Sequence, residues 1–216
     1  MIPLFSIRTQ KNWGIGEILD LIPFIDFMAE TGLSILQLLP HNEMAPGETS
    51  PYSALSAFAF DPIYLSLHAW EDFSKSPKIQ KIYQDKKKEQ GIEIWQDSPT
   101  VCYEAIRAFK NNLFQPVFER FKKVVLKNGV LQASSRPRAR AFQSFMEAEA
   151  DWLEDYALFR YLKGQYGSET DWPIPYRERQ ESVLSQLKEE AYDALLFIKY
   201  LQWACWEQWQ TVRRYA

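Results

Sequence analysis

Apolar residues near the start of the chain follow two different rhythms. Ile2 to Ser6 reads as a short strand, and Arg8 to Gly16 as the loop that leaves it, with Gly14 and Gly16 permitting tight backbone geometry. After Asp20, a candidate N-cap, Leu21, Phe24, Ile25 and Met28 recur at i, i+3, i+4 and i+7. That spacing predicts a helix with one buried face, Pro23 being tolerated in its first turn, and Gly32 is its stop. From Ser34 to Leu39 the apolar residues run on rather than alternate, which predicts a strand buried on both faces. Strand, helix, strand in this order predicts parallel strands with a right-handed crossover.

No second unit of this kind follows Trp70. The chain becomes charged, aromatic and helix-prone: a Lys-rich segment near 75–90, a helix over Tyr103 to Lys127, and another over Arg140 to Tyr166 that stops at Gly164 and Gly167. DWPIPYR, 171–177, carries two prolines and reads as a turn or linker. A long last helix is expected from about Glu178 to Tyr215, with Leu195, Ile198, Leu201, Cys205, Trp209 and Val212 as its buried stripe. These patterns predict an α/β chain that is mostly α, in three parts: 1–72, 73–177 and 178–216. No internal repeat and no low-complexity tract stands out.

Composition narrows the partners. A content of 46% hydrophobic and 15% aromatic residues can build a sizeable core, while a net charge of −3 gives no overall field for nucleic acid or anionic lipid. The basic block at 119–140 and the acidic block at 147–155 are adjacent and opposite, the pattern of solvated or mutually pairing helices. Cys102 and Cys205 lack CxxC spacing, which argues against a disulfide framework or a structural metal and fits a reducing cytosol. MIPLFSIRTQKNW is not built like a signal peptide, and no window holds eighteen uninterrupted apolar residues, so a cytoplasmic protein away from membranes is expected.

Most motif-like features read better as structure. In Gly14-Ile-Gly16-Glu-Ile-Leu19, Leu19 stands where a dinucleotide fingerprint needs its third glycine. His41 and His68, the two histidines, make no metal-ligand spacing and read as loop or surface residues. Trp203, Trp206 and Trp209 share a broad helix face and read as packing rather than a ligand ladder. Glu147/Asp151 and Glu154/Asp155 lie on a charged helix surface, and neither a GxSxG elbow nor HExxH occurs. The loops after the two predicted strands, 8–16 and 40–62, should face one site, because ligands bind at the carboxyl ends of parallel strands. Ser50, Tyr52, Ser53, Trp13 and His41 combine aromatic faces with neutral hydroxyls and suit an uncharged polyhydroxylated ligand such as a sugar. The competing reading is that Tyr52, Phe58 and Phe60 only anchor a long loop.

NWGIGEILDL (12–21), LQLLP (36–40), SPYSALSAFAFDPIYLSL (50–67), DWLEDYALFRYLK (151–163), WPIPYR (172–177) and QWACWEQWQTVRRYA (202–216) resemble, in order, the N-terminal part of the 4-α-glucanotransferases, the amylomaltase or disproportionating-enzyme family. The likeness is weakest at 75–100 and 125–145. It implies the first two strands of a (β/α)₈ barrel with a large helical insertion, and cofactor-free transfer of α-1,4-glucan segments between maltodextrins. The retaining chemistry needs a carboxylate nucleophile and an acid/base carboxyl about 5 Å apart. The resemblance puts Ser50 and Tyr52 at donor sugar sites and Tyr103 at a secondary glucan site. It places the catalytic carboxylates later than any residue matched here, so the 216-residue chain is expected to be inactive alone. A complementing C-terminal chain is one expected partner; a non-catalytic glucan-binding or helical interaction fragment is the alternative. His41 and Cys102 depart from the family's usual apolar residue and aspartate.

Overall fold

Asp20 sets how the chain enters its first helix. Its carboxylate accepts from the Glu17 backbone N–H at 2.7 Å, the Thr9 hydroxyl at 2.6 Å and the Asn12 amide at 3.2 Å, which closes loop 9–20 onto a 3₁₀ turn, Ile18–Asp20. α1 (Leu21–Glu30) follows, with Leu21 and Met28 buried and Phe24 and Ile25 half-buried, the predicted face. Gly32, at φ +76°, ends it as Leu33 N–H reaches back to Met28 O at 2.8 Å.

This is a computed structural model; it describes residues 1–45 and 47–216, apart from the side chain of Gln90, so that Pro46 in the 40–62 loop lies outside the described residues. The described chain is mostly helical. After α1 come α2 (Glu71–Ser74), α3 (Pro77–Gln90), α4 (Ile92–Asp97) and α5 (Tyr103–Val125). A small antiparallel pair, β1 (Leu126–Lys127) and β2 (Val130–Leu131), turns through Asn128 and Gly129, both at positive φ. Then follow α6 (Pro137–Ala148), α7 (Ala150–Tyr166), α8 (Ile174–Arg177), α9 (Glu181–Glu190) and α10 (Tyr192–Tyr215).

The two predicted strands need correction. Ile2 and Leu38 do meet in a parallel bridge, with Ile2 N–H donating to Gln37 O at 2.9 Å and Leu39 N–H to Ile2 O at 3.2 Å. Their ladder goes no further among the described residues. Leu4–Ser6 winds into a 3₁₀ turn because the Ser6 amide and hydroxyl both return to Pro3 O, at 3.1 and 2.8 Å. The segment 34–39 is not doubly buried: Ile35 is 85% exposed, since burial on both faces requires cover on both. Two predicted helices are each divided, 140–166 at Glu149 and 178–215 at Ala191, and the linker 171–177 contains α8.

The chain forms two compact units that differ from the predicted parts: Met1–Val124 with Ala204–Ala216, and Val125–Trp203. Residues 73–124 group with 1–72 because α5 carries one buried face, Ile106, Phe109, Leu113, Val117 and Phe121, into the same core as Ile15, Ile18 and Ile63. In the second unit Ala157, Leu158, Leu162, Leu187, Ala191 and Leu195 form one buried cluster. Trp203 and Trp209 pack as expected: Trp203 is 2% exposed against Phe142 and Tyr200, and Trp209 lies on His41 and Phe60.

Candidate functional site

The 40–62 loop is a framed structure. Its two limbs pair antiparallel at Asn42/Phe60 and Met44/Ala54, with Glu43 N–H donating to Ala59 O at 3.1 Å and Leu55 N–H to Glu43 O at 2.7 Å. The small hydroxyls hold the turns between. Ser50 Oγ accepts from Tyr52 N–H at 3.4 Å, Ser50 O from Ser53 N–H at 3.0 Å, and Ser56 Oγ from the Phe58 and Ala59 N–H groups, each at 3.1 Å. Those turns leave Tyr52 70% and Phe58 66% exposed. Phe60 instead packs on His41, ring centres 5.3 Å apart, so the anchoring reading holds for Phe60.

Asp61 fixes the base of this frame. Fully buried, it takes both arms of the Arg107 guanidinium from α5 at 2.8 Å each, and accepts from Ile63 N–H at 3.0 Å and Met44 N–H at 3.4 Å. One carboxylate thus joins α5, the loop and the 3₁₀ turn Pro62–Tyr64. His41 lies between Phe60 and Trp209, and burial lowers its pKa.

Beside the loop lies a cleft of about 720 Å³ lined by residues that include Phe5, Arg8, Thr49, Ser98 and Tyr103. The segments after the two predicted strands therefore do share a wall, through Arg8 and Thr49. Tyr103, 8% exposed, contributes a hydroxyl with no hydrogen-bond partner among the described residues, its pKa pushed up to about 12, first by burial and then by the Asp61 charge. No carboxylate is among the residues lining this cleft.

Trp13 is elsewhere. It is 3% exposed, stacked on Tyr83 at 5.0 Å and edged by Phe109 at 5.2 Å, so the structure corrects it from ligand contact to core: its ring is occupied by its neighbours. The Lys110 ammonium stands 5.5 Å from its centre. Wholly buried, Lys110 Nζ donates to Glu17 Oε1 and Ile63 O at 2.6 Å and to Leu65 O at 2.8 Å. Glu17 Oε2 lies 3.6 Å from His68 Nδ1. Burial raises Glu17 to about 7, with Lys110 opposing the rise. Among the described residues no group of His, Cys, Asp and Glu could hold a metal, and no helix is long and apolar enough to cross a membrane.

A family model described as 4-alpha-glucanotransferase matches residues 2–216. The chain belongs to that family. It is 33% identical over 217 residues to the 4-alpha-glucanotransferase of Chlamydia pneumoniae, covering all of this chain and 38% of the relative. With the Thermus thermophilus 4-alpha-glucanotransferase the identity is 32% over 198 residues, covering 89% of this chain and 34% of the relative. The fold is similar to the amylomaltase of Streptococcus agalactiae solved in complex with acarbose (TM-score 0.73, 21% identity, all of this chain and 40% of that one). It is also similar to the Corynebacterium glutamicum amylomaltase (TM-score 0.70, 20% identity, 28% of that chain). The chain thus spans well under half the length of the 4-alpha-glucanotransferases it matches.

Residue chemistry pointed to Ser50, Tyr52 and Ser53, and the resemblance to Tyr103; neither pointed to Asp61 and Arg107, which fix the base of the loop, or to Glu17 and Lys110, which tie α5 to the backbone of Ile63 and Leu65. One signal was available: Lys110 falls inside the helical stripe Ile106, Phe109, Leu113 and Val117, where a cation needs a buried partner.

Proposed function

We propose that residues 40–62 are the glucan-contacting rim of a 4-α-glucanotransferase, with Ser50 and Tyr52 at donor sugar sites, Ser53 a further substrate contact, and Tyr103 at a secondary site. The Ile2/Leu38 parallel contact is read as the start of a (β/α)₈ barrel. The substrate class is α-1,4-glucan or maltodextrin, handled by retaining double displacement without a cofactor. The nucleophile and the acid/base carboxyl of that mechanism are assigned outside these 216 residues. In support, Asp61, Glu17 and Asp20 are each already committed to structural partners. Free thiols at Cys102 and Cys205 support a reducing, cytoplasmic setting.

The observation that carries this reading is the exposure of Tyr52, 70%, on a loop whose base is buried and ion-paired. An aromatic held out by a rigid frame offers a ring face at little ordering cost. Titration with maltoheptaose tests it: Tyr52→Ala should weaken binding about tenfold. Unchanged affinity refutes the rim. Incubating the chain alone with maltotriose should release no glucose and no longer maltodextrins; turnover would overturn the assignment of the carboxylates. Activity should appear only with a complementing C-terminal chain.

A further inference from the structure

The second unit carries a cleft of about 410 Å³ that no part of the rim uses. Its size falls in the roughly 300–1,000 Å³ range of small-molecule sites. Leu158 lies buried among its lining residues, and Phe159, Trp172 and Tyr176 bring three aromatic rings, those of Phe159 and Trp172 with centres 5.8 Å apart. Asp155 and Arg179, both exposed, add a hydrogen-bonding fork: the guanidinium meets the carboxylate oxygens at 2.8 and 2.7 Å.

Arg179 is the informative residue. It follows α8 and closes it, its N–H donating to Tyr176 O at 3.2 Å and the next N–H to Pro175 O at 3.0 Å, at φ +54°. Glycine is the ordinary residue at such a left-handed helix stop, and a side chain there carries backbone strain. An exposed ion pair returns little stability to offset it. Arg179 thus presents its guanidinium at the cleft at a backbone cost that its exposed ion pair does little to offset.

The charges of the cleft select the ligand. Among the lining residues Asp155 and Glu169 balance Arg177 and Arg179, with Asp155 paired to Arg179, so the cleft wall carries no net charge to draw an ionic ligand. Aromatic faces beside a polar fork fit a neutral molecule with apolar ring faces and a belt of hydroxyls. We infer that this cleft is a second binding site for a short α-1,4-linked glucan, separate from the 40–62 rim and able to tether the chain to its polymer. The choice of glucan rests on the proposed function above; the presence of a site rests on the cleft and on Arg179.

Titration of the ¹⁵N-labelled full chain with maltotriose, followed by backbone and indole N–H signals, tests both together. The Trp172 indole, which donates to Gly167 O at 3.4 Å, and the amides of Thr170 and Arg179 should shift, along with those of 50–58. Arg179→Gly should weaken the cleft response about tenfold while leaving the melting temperature equal or higher, because glycine relieves the strain. Tyr52→Ala should abolish the shifts at 50–58 and spare those at Trp172. Shifts at the rim with none at Trp172 overturn this proposal and leave the rim standing; the reverse overturns the rim alone. Equal shifts with cellotriose, or an Arg179→Gly chain that loses stability without losing the response, also overturn the proposal.

Discussion

Replacing Lys110 by methionine keeps most of the side chain's volume and removes its charge. Three contacts go at once: Glu17 Oε1, Ile63 O and Leu65 O, all buried with it. Breaking a buried ion pair by removing one partner costs on the order of 3–5 kcal/mol, because the other charge stays in the interior. Glu17 can escape part of that by taking up a proton. Burial already raises it from 4.5 to about 7, with Lys110 pulling it down. The folded chain therefore holds the Glu17 proton more tightly than the unfolded one. Glu17's contribution to stability is complete below pH 4.5, is lost as pH rises, and is gone above about 7, a span worth on the order of 3 kcal/mol. Without Lys110 the folded value climbs further and the decline extends to higher pH. The deficit of Lys110→Met should then be smaller at pH 5, where the orphaned carbonyls dominate, and reach about 3–5 kcal/mol at pH 8. His68, 3.6 Å from Glu17, is lowered in pKa first by burial and in part by the Lys110 charge; losing that charge relieves His68 at low pH and so also makes the deficit smaller at pH 5. Urea unfolding at the two pH values measures this, and Glu17→Gln added to Lys110→Met should recover part of the loss. Equal deficits at pH 5 and 8, or a loss under about 1 kcal/mol at pH 8, would refute the reasoning.

Gly16→Ala should destabilise by at least about 1–3 kcal/mol in thermal melts, since the new Cβ would sit 1.9 Å from Leu4 O, a backbone atom; a neutral substitution would mean that the 4–16 loop is not packed as described. Asp61→Ala strips Arg107 of its partner and frees two N–H groups, so a loss on the order of 3 kcal/mol and weaker maltoheptaose binding are expected together, by calorimetry and titration. Normal binding after such a loss would separate the frame from the rim.

Local rhythm carried much of the fold. α1 and its Gly32 stop, α5 from Tyr103, and the buried stripe of α10 follow from spacing alone, because each is decided within a few turns of chain. The strands did not follow, because burial of 34–39 depends on partners that its own residues do not encode. Breaks at Glu149 and Ala191 carry no proline or glycine to announce them. Asn128-Gly129, between Leu126-Lys127 and Val130-Leu131, was a readable hairpin signal that the helix pattern overrode. At the candidate site, the exposed Tyr52 was legible as an aromatic among turn formers. Its support was not: the Asp61–Arg107 link spans 46 positions and depends on the folded chain.

Gln208 clasps the Ser66 backbone from both sides, accepting from its N–H and donating to its carbonyl at 2.9 Å each, across 142 positions. During translation at about 5–20 residues per second, that clasp waits on the order of ten seconds after Ser66 is made. Residues 125–203 are all synthesised within that interval. The second unit can therefore finish first, while the stem beneath the loop stays open, offering Ser66's polar groups to water or to a chaperone until the closing turns of α10 arrive.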